Sequence, residues 1–186
     1  MTVRDDRREA AIERMADHLL AEGLAAATLR PLAAAAGTSD RMLLYYFTDR
    51  NDLLAATLDR VAERMTTMLD AAIPIGPRRP FPLLLKEVWT AMASENLKPF
   101  MPLWLELASG SARGLQPHRD VAGRIAEGFF AWIAARLASD ADNQASLFFA
   151  AIEGMYLLTA IGRIATADGA AAELASLFQT PCDGTL

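Results

Sequence analysis

Apolar positions in the first part of the chain recur at steps of three and four. Ala11, Ile12, Met15, Ala16, Leu19 and Leu20 form one stripe along a helix over residues 4–21, which Gly23 closes. Thr28 then stands before Leu29, Arg30, Pro31, Leu32 and a run of four alanines that ends at Gly37. This order predicts a two-turn helix over 29–36, with Thr28 as N-cap and Pro31 tolerated in the first turn. Ser39 is the natural N-cap of a third short helix over 40–45, and Asp49 of a fourth over 50–72. Four prolines (Pro74, Pro77, Pro80, Pro82) and Gly76 forbid helix between 73 and 82, so this stretch is a connection and the clearest break in the chain. Further helices are predicted at about 82–94, 97–109 (disturbed by Pro99 and Pro102), 117–139, 143–166 and 168–179. The expectation is an all-α protein of about nine helices.

Composition agrees with helix. Of the 186 residues, 53% are hydrophobic, and alanine dominates while valine and isoleucine are few. The length suits a module of about 50 residues joined to a larger one. We expect a first domain at 1–49, a second at 50–180 with the 50–72 helix linking the two, and a tail at 181–186. Cys182, the single cysteine, lies in that tail, so no internal disulfide exists and the thiol is read as incidental. The N-terminal residues carry no apolar core of a secretory signal, and a cytoplasmic location is expected. Residues 147–161 are apolar enough to suggest a membrane span, but are short for one and contain Glu153, so a buried or subunit-interface helix is expected and no membrane association.

Charge complicates any nucleic-acid role. The net charge is −5, and residues 1–60 hold eight arginines against ten acids, a net of −2. A chain with this balance binds phosphate only if its charges are sorted by face.

Two short helices around a tight glycine turn are the shape that enters a major groove, with the first residues of the second helix meeting base edges. Ser39, Asp40, Arg41 and Met42 occupy that first turn. Arg41 suits two hydrogen bonds to guanine O6 and N7, and Met42 suits a thymine methyl. Asp40 is placed to accept from a cytosine amine or to hold Arg41. Tyr45, Tyr46 and Arg50 stand where hydroxyls and a guanidinium would meet the phosphate backbone, although either tyrosine also fits a half-buried packing role. Arg50 opens the fourth helix, whose N-terminal amides favour phosphate. Leu43, Leu44 and Phe47 read as core. Arg4, Arg7 and Arg8 are either a solvated helix start or an arm on phosphate.

The spacing of these residues resembles the DNA-binding domain of the tetracycline-repressor (TetR) family. The matching features are Thr28, Leu32 and Ala33, Ala36 and Gly37, Thr38 and Ser39, then Tyr45, Tyr46, Phe47, Arg50, Leu53 and Leu54, about 30 residues without a gap. Arg41, Leu44 and Tyr46 stand where the family more often has Gly, Tyr and His. The resemblance implies a regulator that contacts double-stranded operator DNA through Thr28, Arg30, Ser39, Asp40, Arg41, Met42, Tyr45, Tyr46 and Arg50, and that needs no cofactor. It also implies a ligand pocket within helices 4 to 7 and pairing of two subunits through the last two helices.

The second half carries its own signals. Trp89, Met92, Phe100, Trp104, Glu106 and Phe130 are candidates for binding a small-molecule effector, since adaptable methionine and flat aromatics line apolar sites. The same aromatic residues also fit a core, and Glu106 fits either a polar selector or a surface acid. Helix 8 is apolar nearly all round and must be covered on every side. A homodimer through Phe148, Ile152, Met155, Tyr156 and Gly162 would cover it, and a central helix of a monomer would do the same. With His18 and His118 the only histidines and one tail cysteine, neither a metal-ligand set nor a nucleophile with its base is readable, so no enzyme is expected. The competing readings are a helical binding module that does not contact DNA, and an activator in place of a repressor.

Overall fold

The computed structural model describes residues 3–138 and 142–178, and the regular elements among them are helical. They are α1 (Val3–Glu22), a single 3₁₀ turn (Leu24–Ala26), α2 (Leu29–Ala35), α3 (Asp40–Tyr46), α4 (Arg50–Ala72), α5 (Phe81–Met92), α6 (Phe100–Ala112), α7 (His118–Ala134), α8 (Asp142–Ala160) and α9 (Ile164–Leu177). The expected all-α class and the first four helices stand. Cys182 and the tail at 181–186 lie outside the described residues.

The chain forms two compact units. The first comprises Met1–Met68 and Glu95–Glu127, the second Leu69–Ser94 and Gly128–Leu186. This division differs from the expected boundary at 49/50, because α6 and the start of α7 cluster with the N-terminal helices.

In the first unit, the α1 stripe of Ala11, Ile12, Met15, Ala16 and Leu19 is buried together with Leu32 and Ala33 of α2, Leu43 of α3, Phe47 just after it and Leu53 of α4. Between α2 and α3 the chain reverses at Gly37, whose φ of 69° suits glycine. The amides of Gly37 and Thr38 return to the carbonyls of Ala34 and Ala33, the paired bonds that close a helix on a left-handed glycine. A side chain there would also collide with Arg14, which donates to the Ala36 carbonyl at 3.0 Å. Ser39 caps α3 by accepting from the Met42 amide at 3.2 Å. At the head of α4, Asp49 accepts from the Asp52 amide while Asp52 accepts from the Thr48 amide, each at 2.8 Å. Two donors are thereby satisfied reciprocally at one helix start. Thr28 occupies the N-cap position of α2 in extended backbone, but its side chain makes no capping bond.

In the second unit, α5, α8 and α9 share a core of Leu84, Leu85, Val88, Phe148, Ile152, Met155 and Ala167. Phe81 meets Phe148 edge-on at 5.3 Å and stacks on Phe178 at 4.2 Å. Several predicted boundaries move for local reasons. The helix expected over 143–166 ends at Ala160, because Gly162 takes φ 78° and the Arg163 amide turns back to Leu158. A separate α9 then starts at Ile164. α7 stops at Ala134, after which Arg136 and Ala138 pair through their backbones with Arg79. α6 starts only at Phe100, which puts Pro102 in the first turn where its missing N–H costs nothing. Among the described residues, no helix is long and apolar enough to cross a membrane.

Candidate nucleic-acid interface

α3 has 3.6 residues per turn like any α-helix, and Leu43 fixes its inward side. Arg41 and Tyr45 therefore lie at the centre of the outward face, with Leu44 on one flank and Met42 on the other. Exposure agrees: Asp40 and Arg41 are exposed, Met42 is 40% exposed, Leu44 43% and Tyr45 60%, while Tyr46 is half-buried. Thr28, Arg30, Ser39 and Arg50 are also exposed. Eight of the nine expected residues are thus exposed and Tyr46 is half-buried, and one reading is corrected. Leu43 and Phe47 are core, but Leu44 is not: one turn separates it from Arg41, so it shares the outer surface.

Arg4 joins this face from α1. Its guanidinium lies 4.7 Å from the centre of the Tyr45 ring and donates to the Tyr45 carbonyl at 3.2 Å, while Tyr45 and Tyr46 meet edge-on at 5.8 Å. A cation beside two phenols at the end of an exposed helix is a suitable cradle for phosphate. Arg8 sits over the Phe47 ring at 4.8 Å and pairs with Glu9, so it is a packing residue. Arg50 reaches the Ala27 carbonyl at 3.4 Å and joins the start of α4 to the segment just before α2.

The negative charge of the first 60 residues is largely occupied. Arg60 pairs with Glu9, Glu13 and Glu63, and Arg64 pairs with Glu13 and Asp17, a ladder that binds α1 to α4. The Arg64 and Arg60 guanidinium groups hold the Glu13 carboxyl below the usual carboxylate range, against the opposing effect of burial. Asp49 and Asp52 are used as helix caps, and Asp59 takes both of its bonds from Arg124, at 2.9 and 2.8 Å. Asp40 is the acid left on the exposed face of α3. Sorting of charge by partner thus explains how an acidic module can still present arginines.

The six expected effector residues fall in different units. Phe100, Trp104 and Glu106 belong to the first, and Trp89, Met92 and Phe130 to the second. Met92 and Phe100 are core residues, fully covered. Trp89 is half-buried, donates to Asp168 at 3.0 Å and meets Tyr156 edge-on at 6.3 Å; burial pushes the Tyr156 hydroxyl up to about 12. Glu106 is exposed but not an idle surface acid, because its carboxylate receives the Leu24 amide at 2.6 Å. A groove of about 420 Å³ in the second unit is lined by Asp70, Pro74, Ile75, Trp132 and Arg136; of these only Trp132 stood out in the sequence, as one of three tryptophans suited to an apolar site or a core. Arg136 was hidden from pattern reading because it is charged, yet only 4% of it is exposed. It stacks on Trp132 at 3.9 Å and donates to Asp70, the Ile73 carbonyl and the Trp132 carbonyl.

The expected pairing surface is also revised. Phe148, Ile152 and Met155 are buried within the second unit itself, Tyr156 packs on Trp89, and Gly162 is a helix-ending turn. The exposed large apolar side chains among the described residues of this region are Leu147 and Leu157 on α8, Ile161 in the turn after it, and Ile164 and Leu177 on α9.

Residues 12–57 match the family model described as bacterial regulatory proteins, tetR family. Solved structures are similar over nearly the whole chain. The multidrug binding protein EbrR, complexed with proflavin, is 24% identical, with 93% of this chain and 99% of that one covered and a TM-score of 0.72. A TetR-family transcriptional regulator from Cytophaga hutchinsonii is 18% identical, with 96% of both chains covered and a TM-score of 0.75. A TetR transcription regulator from Haloarcula marismortui is 22% identical, with 95% of this chain and all of that one covered and a TM-score of 0.72. At these identities the likeness is one of fold. No curated protein sequence matches the chain.

Proposed function

We propose that this chain, whose residues 12–57 match the tetracycline-repressor (TetR) family model, is a transcription regulator of that family that binds operator DNA as a homodimer and answers to a small, largely apolar molecule. The observation that carries the DNA half is the face of α3: a helix capped by Ser39 behind the Gly37 turn displays Arg41 outward, with Arg4, Tyr45 and Arg50 beside it. Arg41 reads guanine, while Arg4, Tyr45, Tyr46 and Arg50 hold the backbone and set the register. Thr28 and Arg30, at the exposed start of α2, add contacts to the backbone.

Two copies pair through the exposed apolar residues of α8 and α9, which places two reading heads on a near-palindromic site. The half-buried aromatics Trp89 and Phe130 of the second unit are the candidates for touching the effector, and the EbrR structure with proflavin supports a flat ring compound as the first to try. Effector binding favours a head spacing that misses the roughly 34–36 Å between successive major-groove faces, and the repressor leaves DNA.

Selection of duplexes from a random pool, followed by transcription in vitro from a promoter that carries the enriched site, tests this reading. Enrichment of one near-palindromic site and lower transcript yield with protein support it. Higher yield would make the chain an activator, and no enrichment would remove the DNA-binding function.

A further inference from the structure

The outward face of α3 carries more apolar surface than a water-facing helix needs. Leu44 is 43% exposed although a seven-residue helix has other positions for it, and it lies one turn beyond Arg41 on the same side. An isobutyl group neither donates nor accepts a hydrogen bond. Set against the polar edges of guanine, cytosine or adenine it would strip water from donors and acceptors and return nothing. The major groove offers one apolar feature, the 5-methyl group of thymine.

Resting on the reading of α3 as the base-reading helix, we infer that Leu44 is a specificity-determining residue that selects a thymine by its methyl group. Its position also places that thymine. Three residues advance an α-helix by about 4.5 Å, and base pairs are spaced by about 3.4 Å, so the selected thymine lies within one or two base pairs of the guanine read by Arg41. The face is continuous with the reading surface: Arg41 lies between Leu44 and Met42 in angle, and Tyr45 ends the same strip against Arg4. The operator of this protein therefore has a guanine and a thymine within two base pairs of each other in each bound half. The thymine is recognised without a hydrogen bond.

Replacement of thymine by deoxyuridine removes only the methyl group and keeps every hydrogen-bonding atom, so it isolates the contact. Each thymine of the selected duplex is replaced in turn, and affinities are measured for the full-length wild-type chain and for Leu44→Ala. Apart from any thymine that Met42 touches, whose loss Leu44→Ala shares, we expect wild type to lose about four-fold at one thymine per half, the worth of one buried methyl group. That thymine lies within two base pairs of the guanine at which Arg41→Ala loses discrimination. Leu44→Ala, whose side chain leaves a solvent-facing position, is expected to fold normally and to bind the thymine and deoxyuridine duplexes equally at that position. Wild type indifferent to every replacement, or losses equal in wild type and variant at every thymine, overturns the role of Leu44 and leaves the helix-turn-helix reading intact. Failure of wild type to enrich any duplex overturns both.

Discussion

Glu106, in the second turn of α6, accepts the backbone amide of Leu24 at 2.6 Å across 82 residues of chain. The donor is the first residue of the 3₁₀ turn that joins α1 to α2, so one carboxylate caps that turn and ties α6 to the helix-turn-helix within the first unit. Gly23 makes the approach feasible: its φ is 77°, and a side-chain carbon there would sit 2.7 Å from the Glu106 carboxylate.

Removal of this acceptor should loosen the turn without unfolding the module. We expect Glu106→Ala to cost about 1 kcal/mol, the usual worth of a helix cap, and to speed amide exchange at Leu24 while Leu32 stays protected. Glu106→Gln retains an acceptor and should keep most of the protection. Equal exchange at Leu24 in all three proteins would refute the tie.

The ladder between α1 and α4 makes stability depend on pH in a defined direction. Glu13 has a depressed pKa in the folded chain, so its contribution is complete above the ordinary carboxylate range and is lost as pH falls through the lowered folded value. Because these side chains are partly exposed, Glu13→Gln should cost only about 1 kcal/mol at pH 7. The gap between wild type and variant should close on acidification when followed by urea unfolding. A gap that widens in acid would contradict the ladder.

Among the described residues of the second unit, Arg136 is a buried charge. Its removal strands the Ile73 carbonyl and deprives Asp70 of a partner, so Arg136→Ala should cost about 2–4 kcal/mol in denaturant unfolding. Lysine lacks the planar fork that bonds three acceptors while stacking on Trp132, and Arg136→Lys should recover less than half of that loss.

Substitutions on α8 and in the turn after it separate the core from the proposed pairing surface. Phe148→Ala should destabilise the subunit by about 3–5 kcal/mol, since its side chain is fully covered within the unit. Leu157→Glu with Ile161→Glu should leave the helical signal intact and turn a sedimenting dimer into a monomer. Dimers that survive the double substitution would move the interface elsewhere.

How far these features could be read in advance depended on how local their causes are. The helix-turn-helix was legible because its stops and starts are neighbours in sequence: Gly37 ends α2, Ser39 caps α3 and Asp49 caps α4. Leu44 was misread because two adjacent leucines on a two-turn helix give no period, and only the register with buried Leu43 and Phe47 shows which faces inward. Helix 8 is apolar on all sides, so its pattern named no interface, and Phe148, Ile152 and Met155 turned to the subunit's own core. Gly162 reads equally as a point of close approach or a helix end when apolar residues continue past it. Glu106 and Arg136 owe their roles to partners more than 60 residues away, which no local pattern contains.

The central claim is that the first unit is a DNA-reading head despite its acidic balance. Its most direct test is the affinity of the purified chain for the selected duplex and for a scrambled duplex across a salt series. We predict a linear fall of log affinity with log salt, a slope of about −3 or steeper, and at least a thousand-fold preference for the selected sequence at about 0.15 M salt. Arg50→Ala should make the slope shallower on both duplexes. No binding at low salt, or equal affinity for the two duplexes, would contradict the account.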